Sequence, residues 1–191
     1  MTYNFKECLR GVDVFLSSWC SGSNISSFAV EIKKSYAGNI NRSGLAIEGA
    51  EAYLLSVSHP QFWDSIEKGI KPLVRFFIEN KGFITFTSCE GHLYKNGGFS
   101  LRNIGIIMRS EDESNSAILL ISDVTEVFNQ EYEDIKVKFY SYDMMDDKKN
   151  LHKAIKIIFH RTIKTTIDEY FFNLDSRTSR YLSLLQTKEF R

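Results

Sequence analysis

The chain has 191 residues, and 24 Lys and Arg balance 24 Asp and Glu, so no global field argues for a nucleic acid or an anionic membrane as partner. That length buries a substantial core without staples and fits one domain. The cysteines, Cys8, Cys20 and Cys89, are odd in number and lack framework spacing, which points to a reducing compartment.

Met1–Glu7 shows no basic start followed by an apolar run, and no segment approaches the roughly 18 uninterrupted apolar residues of a membrane helix. The expectation is a cytoplasmic protein without signal peptide or membrane partner. Phe5, Cys8, Leu9, Val12, Phe15, Leu16 and Trp19 recur at helical spacing and predict a first amphipathic helix, with Cys8 in its packed stripe. Phe28, Val30 and Ile32 alternate with polar neighbours as a short strand. A second helix is expected over 45–57, so residues 1–57 read as an N-terminal helical part.

Ser58-His59-Pro60 is a break and a restart, with proline suited to the first helical turn. Phe62, Trp63, Ile66, Ile70, Leu73, Val74 and Phe77 follow on one helical face. Pro72 inside that pattern predicts a kink or two shorter helices. Gly82 closes the segment as a left-handed cap.

Phe83-Ile84-Thr85-Phe86-Thr87 then reads as a strand that runs into Ser88-Cys89-Glu90-Gly91-His92. This loop concentrates a thiol, a carboxylate and an imidazole around a glycine that permits a tight turn. Phe99 to Met108 gives a second strand, and the two form a wide hairpin that would carry Cys89–His92 out of the sheet. Ser110 caps a helix bearing Ala117, Leu120, Ile121, Val124 and Phe128. Ile135, Val137 and Phe139 mark a half-buried strand. Leu151 to Leu174 shows a regular helical stripe, and a last short helix starts at Ser176. Taken together, the elements predict an α+β fold: a small, mainly antiparallel sheet of about three to five strands, with helices packed on it. Residues 58–175 would form the core, beside the N-terminal part and a C-terminal helix over 176–191.

Three chemistries suit the Cys89–His92 loop. In the first, Cys89 is a nucleophile, His92 its base and Glu90 an orienting or proton-transferring group, with Ser88 and Gly91 binding a ligand. In the second, Cys89 and His92 ligate a metal, zinc being suited to such donors, with His59 as a further ligand. In the third, the loop is a structural turn. His152 and His160 are read as the solvated side of a helix. That helix also offers Lys153, Lys156, Arg161 and Lys164 as a basic surface.

The run Gly82, Phe83 to Thr87, Ser88, Cys89, Gly91 and His92 resembles a motif of uncharacterised bacterial and phage proteins, in which a glycine and a short strand precede Ser-Cys-x-Gly-His and a further strand. The likeness covers residues 58–142 in layout and implies no particular activity. A lesser similarity is to the wybutosine-synthesis tRNA methyltransferases, which carry Ser-Ser-Cys-Ser-Gly-Arg after a strand. Ser88, Cys89 and Gly91 match that pattern, while Thr87, Glu90 and His92 depart from it. The lead expectation is therefore a ligand- or metal-binding loop, with catalysis as its stronger form and a small ligand or a protein as partner. The alternatives are an interaction or regulatory module in which the loop is structural, and an RNA-binding or RNA-modifying protein.

Overall fold

A computed structural model describes residues 7–8, 12–21, 28–30, 39–40, 46–47, 52–60, 62–145 and 148–188. The N-terminal elements are β1 (Glu7–Cys8), α1 (Val12–Ser21), β2 (Phe28–Val30), β3 (Asn39–Ile40), β4 (Ala46–Ile47) and β5 (Ala52–Leu54). Next come α2 (Phe62–Ser65) and α3 (Lys71–Arg75), the latter running into a π-helical turn at Phe76–Asn80. They are followed by β6 (Ile84–Cys89), β7 (His92–Leu93), β8 (Phe99–Ser100) and β9 (Asn103–Ile107). The chain ends in α4 (Glu111–Glu131), β10 (Ile135–Met145), β11 (Leu151–Arg161) and α5 (Ile167–Thr187).

The main sheet has the order β1-β10-β11-β9-β6, antiparallel except for the parallel β1–β10 edge. This is the α+β architecture expected from the sequence. One face carries Ile104, Ile106, Ile135, Val137, Ile155, Ile157 and Phe159. Against it pack Ala117, Ile121, Val124 and Phe128 of α4, with Tyr170, Leu174, Tyr181 and Leu185 of α5. Each large side chain so buried contributes about 2 kcal/mol. On the other face Ile84, Ile107, Met144 and Ala154 meet Phe15 of α1. No helix among the described residues is long and apolar enough to cross a membrane.

Pro72 separates α2 from α3 as expected, and Gly82 takes φ +68°. Two helical expectations fail. The described residues of 45–57 include β4 and β5 and no helix, so α1 is the only helix described in the N-terminal part. Gly49 interrupts the helical pattern there, and Ala52–Leu54 pairs with Phe28–Val30 instead. Glu7–Cys8 is likewise a strand, with Gly11 marking the true start of α1. The side chains of Cys8 and Cys20 lie outside the described residues.

The stripe from Leu151 to Leu174 is the larger error. Residues 151–161 form the central strand β11, paired on both edges. Ala154 is buried toward α1, and Ile155, Ile157 and Phe159 toward the other helices. A strand buried on both faces reads as a near-continuous apolar run and mimics a helix. Thr166 then starts α5 with a complete capping box to Glu169, and Ser176 falls inside that helix. The basic helix offered for nucleic acid is therefore not formed. Lys153 pairs with Asp143 and Lys164 with Glu133. His152 and His160 sit on a strand, where His160 is opposite Lys136.

Candidate functional site

Cys89 is delivered by the last residue of β6, after a bulge that shifts the register between Thr85 and Thr87. Gly105 makes the bulge feasible. A Cβ there would stand 2.5 Å from Thr87 Cγ2 and 2.6 Å from the Phe86 ring. Beyond Cys89 the chain turns at Gly91, with φ +88°, and β7 pairs back onto β8 with His92 opposite Ser100. The loop is therefore folded in rather than carried out of the sheet, and Cys89 to His92 are half-buried.

The third group is one the sequence reading missed. Glu67, in the break between α2 and α3, places its carboxylate between the imidazole and the loop backbone. Its Oε2 accepts the Glu90 N–H at 2.7 Å, and its Oε1 lies 2.8 Å from His92 Nε2. Cys89 Sγ accepts the Gly91 N–H at 3.4 Å and lies 3.6 Å from Ser100 Oγ. That same hydroxyl oxygen accepts the His92 N–H at 3.0 Å. One donor atom each from Glu67, Cys89 and His92 falls within 4.8 Å of the other two.

The electrostatics follow from this crowding. The Cys89 sulfur and then the Glu67 carboxylate hold the imidazole protonated against the opposing effect of burial, and the His92 pKa is pushed up to about 10. Burial acts to raise the Glu67 pKa. The imidazole and the Glu90 N–H outweigh it and leave the carboxyl below its ordinary range. Although Nε2 lies within ion-pair distance of Glu67, it makes no aligned hydrogen bond. The contact thus has the distance of a strong interaction without its direction.

Comparison with family models, curated proteins and solved structures finds no match for this chain. The reading of the site rests on its own chemistry.

Of the residues expected at the site, Cys89 and His92 come together. Glu90 does not join them through its side chain. Its Oε2 accepts the Gly69 N–H at 2.7 Å, which makes it a brace rather than a proton-transfer group for the thiol. Ser88 sits in the sheet ladder opposite Ile104, and the hydroxyl beside the sulfur belongs to Ser100. Gly91 contributes its N–H to Cys89 and lines an adjoining groove. His59 is not part of the donor cluster. It is held in a turn, with its N–H on Ser56 O and its carbonyl accepting from Phe62. The upstream segment does reach the loop, but through Glu67. The signal for that was Pro72, whose interruption of the helix leaves Glu67-Lys68-Gly69 at a chain reversal.

Arg102 was also missed. It is a charged residue inside an apolar strand pattern, and that mismatch was the available signal. Its side chain is 4% exposed. Nε donates to Glu90 O at 2.8 Å, and so fixes the turn that carries the cluster. Its backbone N–H donates to Tyr170 OH, which in turn donates to Phe159 O. The site is thereby tied to β11 and α5. As an arrangement of donors, the Glu67–Cys89–His92 group can do two things: coordinate a cation, or support a thiolate nucleophile beside an imidazolium.

Proposed function

We propose that Glu67, Cys89 and His92 form a three-ligand centre for a first-row transition metal, zinc by its donor set, and that this centre is the functional site of the protein. The observation that carries it is the convergence of one oxygen, one sulfur and one nitrogen donor, with the buried Nε2 making no aligned hydrogen bond. Ligands about 2.0–2.3 Å from a shared ion stand roughly 3–4 Å apart, so small side-chain rotations close the set. The surroundings support it. Glu67 keeps one oxygen on the Glu90 N–H while the other faces His92, and the Gly91 N–H supports the sulfur. His160 Nε2 is also buried without a partner, but no cluster forms around it among the described residues. Burial and then the Lys138 ammonium push its pKa down.

Three protein ligands leave a coordination position for water or substrate, the pattern of catalytic rather than structural zinc. A metal there supplies Lewis acidity and an acidified water. The protein's part is to hold the donors and exclude bulk solvent. The test is metal content after chelator-free purification, measured beside Glu67→Gln, Cys89→Ser and His92→Ala. Near-stoichiometric zinc in the parent and its loss in all three variants is the expected result. A metal-free parent that takes up none when zinc is added sinks the proposal.

The Gly91 N–H and Ser100 hydroxyl at Cys89 Sγ favour one second reading, a Cys89 nucleophile with His92 as its proton partner and Glu67 as its orienting group. Iodoacetamide kinetics separate the two. Fast alkylation that added zinc does not slow supports the thiol reading, and protection by zinc supports the metal centre.

A further inference from the structure

Beside the cluster, and sharing Glu90 and Gly91 with it, lies a groove of about 540 Å³. Its apolar lining includes Phe171, Leu174 and Leu182 of α5, and its buried charged residue is Arg102.

The partners of that guanidinium are unequal. Nε donates to a carbonyl, Glu90 O. Nη1 donates to Thr178 Oγ1 at 2.7 Å and to Leu174 O at 3.4 Å. The anion in contact is Asp175, whose Oδ1 accepts from Nη2 at 2.6 Å. Yet the Arg102 side chain is 4% exposed and the Asp175 side chain 80%. A buried cation needs an anion, and here the anion reaches in from solvent. It can turn away without being desolvated or stranded, provided another oxyanion takes its place. Space at the guanidinium is kept by Gly69. A Cβ there would stand 2.6 Å from Arg102 Nη2 and 3.3 Å from Asp175 Oδ1.

We propose that this groove binds a ligand whose carboxylate or phosphate group displaces Asp175 from Arg102, while its apolar part lies along Phe171, Leu174 and Leu182. Asp175 is then a built-in competitor that keeps Arg102 neutralised when the groove holds no ligand. The inference goes beyond the metal centre and does not depend on it.

The test uses calorimetric titration of the full chain with phenylbutyrate, phenyl phosphate and, as the uncharged control, phenylbutanol. At least one of the anions should bind saturably, the stronger one naming the source chemistry, and the alcohol should not. Asp175→Asn removes the competing charge and should tighten anion binding about fivefold, the scale of a partly exposed ion pair. Because Arg102 is buried and its replacement can unfold the chain, Gly69→Ala is the second variant. Its methyl group crowds Nη2, and it should weaken anion binding. No saturable binding by either anion overturns the proposal. So does equal binding of phenylbutanol, or an Asp175→Asn affinity that is unchanged or weaker. Repeating the titration on chelator-treated protein separates the claims: anion binding that persists without zinc keeps this inference whether or not the metal centre survives its own test.

Discussion

At Gly91 the chain takes φ +88°, and a Cβ there would stand 3.2 Å from Arg102 N and 3.3 Å from Leu174 Cδ2. The turn therefore needs glycine for conformation and for space. Gly91→Ala should cost about 1–3 kcal/mol, read as a lowered melting temperature, and should weaken metal uptake because it moves Cys89 relative to His92. A variant as stable as the parent would show that the turn is not set this way. His92 itself is held protonated by Cys89 and Glu67, with its pKa raised to about 10. In metal-free protein, a raised pKa means that its stabilising contribution is complete below about 6.5, its unfolded value, and is lost as pH rises through about 10. Glu67→Gln removes one of the two groups that raise it. The His92 titration followed by NMR should then move down from its parent value, and an unmoved midpoint would detach Glu67 from the imidazole.

At the scale of elements, α5 is fastened to the start of β10 by Asp134. That carboxylate accepts from Arg177 Nε at 3.0 Å and from Asn173 Nδ2 at 3.1 Å. Burial acts to raise its pKa, but the Arg177 guanidinium and the Ile135 N–H outweigh it and hold it below the ordinary range. The stability this gives is present above the unfolded value near 3.9 and lost as pH falls through the folded one. Asp134→Asn should cost about 1.5–3 kcal/mol at neutral pH by urea denaturation, and the gap to the parent should close in acid. A gap that persists below the folded-state pKa would assign the loss to something other than the charge. These elements also show what a sequence reveals. The β6 strand, the Gly82 cap, the Pro72 break and the Ser110-capped α4 were legible because each is fixed by local chemistry. β11 was not. Ile155, Ile157 and Phe159 alternate as a strand should, but Ala154 and Ile158 fill the other phase, so burial on both faces erased the period. Cys89 and His92 were legible as one cluster because they are neighbours in the chain. Glu67 was not, since only the fold brings the α2–α3 break against the β6–β7 turn. His59, in that same upstream region, was the more chemically conspicuous residue and the wrong one.

For the molecule as a whole, one hydrogen-bonded path joins the centre to the core. It runs from the Glu90 carbonyl through Arg102 to Tyr170 and the Phe159 carbonyl of the central strand. Phe159 in turn packs edge-on against Phe128 and Tyr181, which ties β11 to α4 and α5. Glu67 stands outside that path and meets it at the Glu90 N–H. An ion held by Glu67, Cys89 and His92 would therefore clamp the α2–α3 break onto the sheet. Metal that binds only the folded chain raises its stability by about 2.7 kcal/mol at a hundredfold excess over Kd. Uptake must expel the His92 proton, so the apparent affinity should strengthen between about pH 6 and pH 8. Cobalt(II) titration followed by absorbance tests the central claim most directly, because a thiolate ligand and a low coordination number each leave a visible signature. The expected result is saturation at one cobalt per chain, with a thiolate-to-cobalt charge-transfer band absent in Cys89→Ser and with uptake weakened in His92→Ala and Glu67→Gln. A spectrum that stays that of aqueous cobalt, or a band that survives Cys89→Ser, would contradict it.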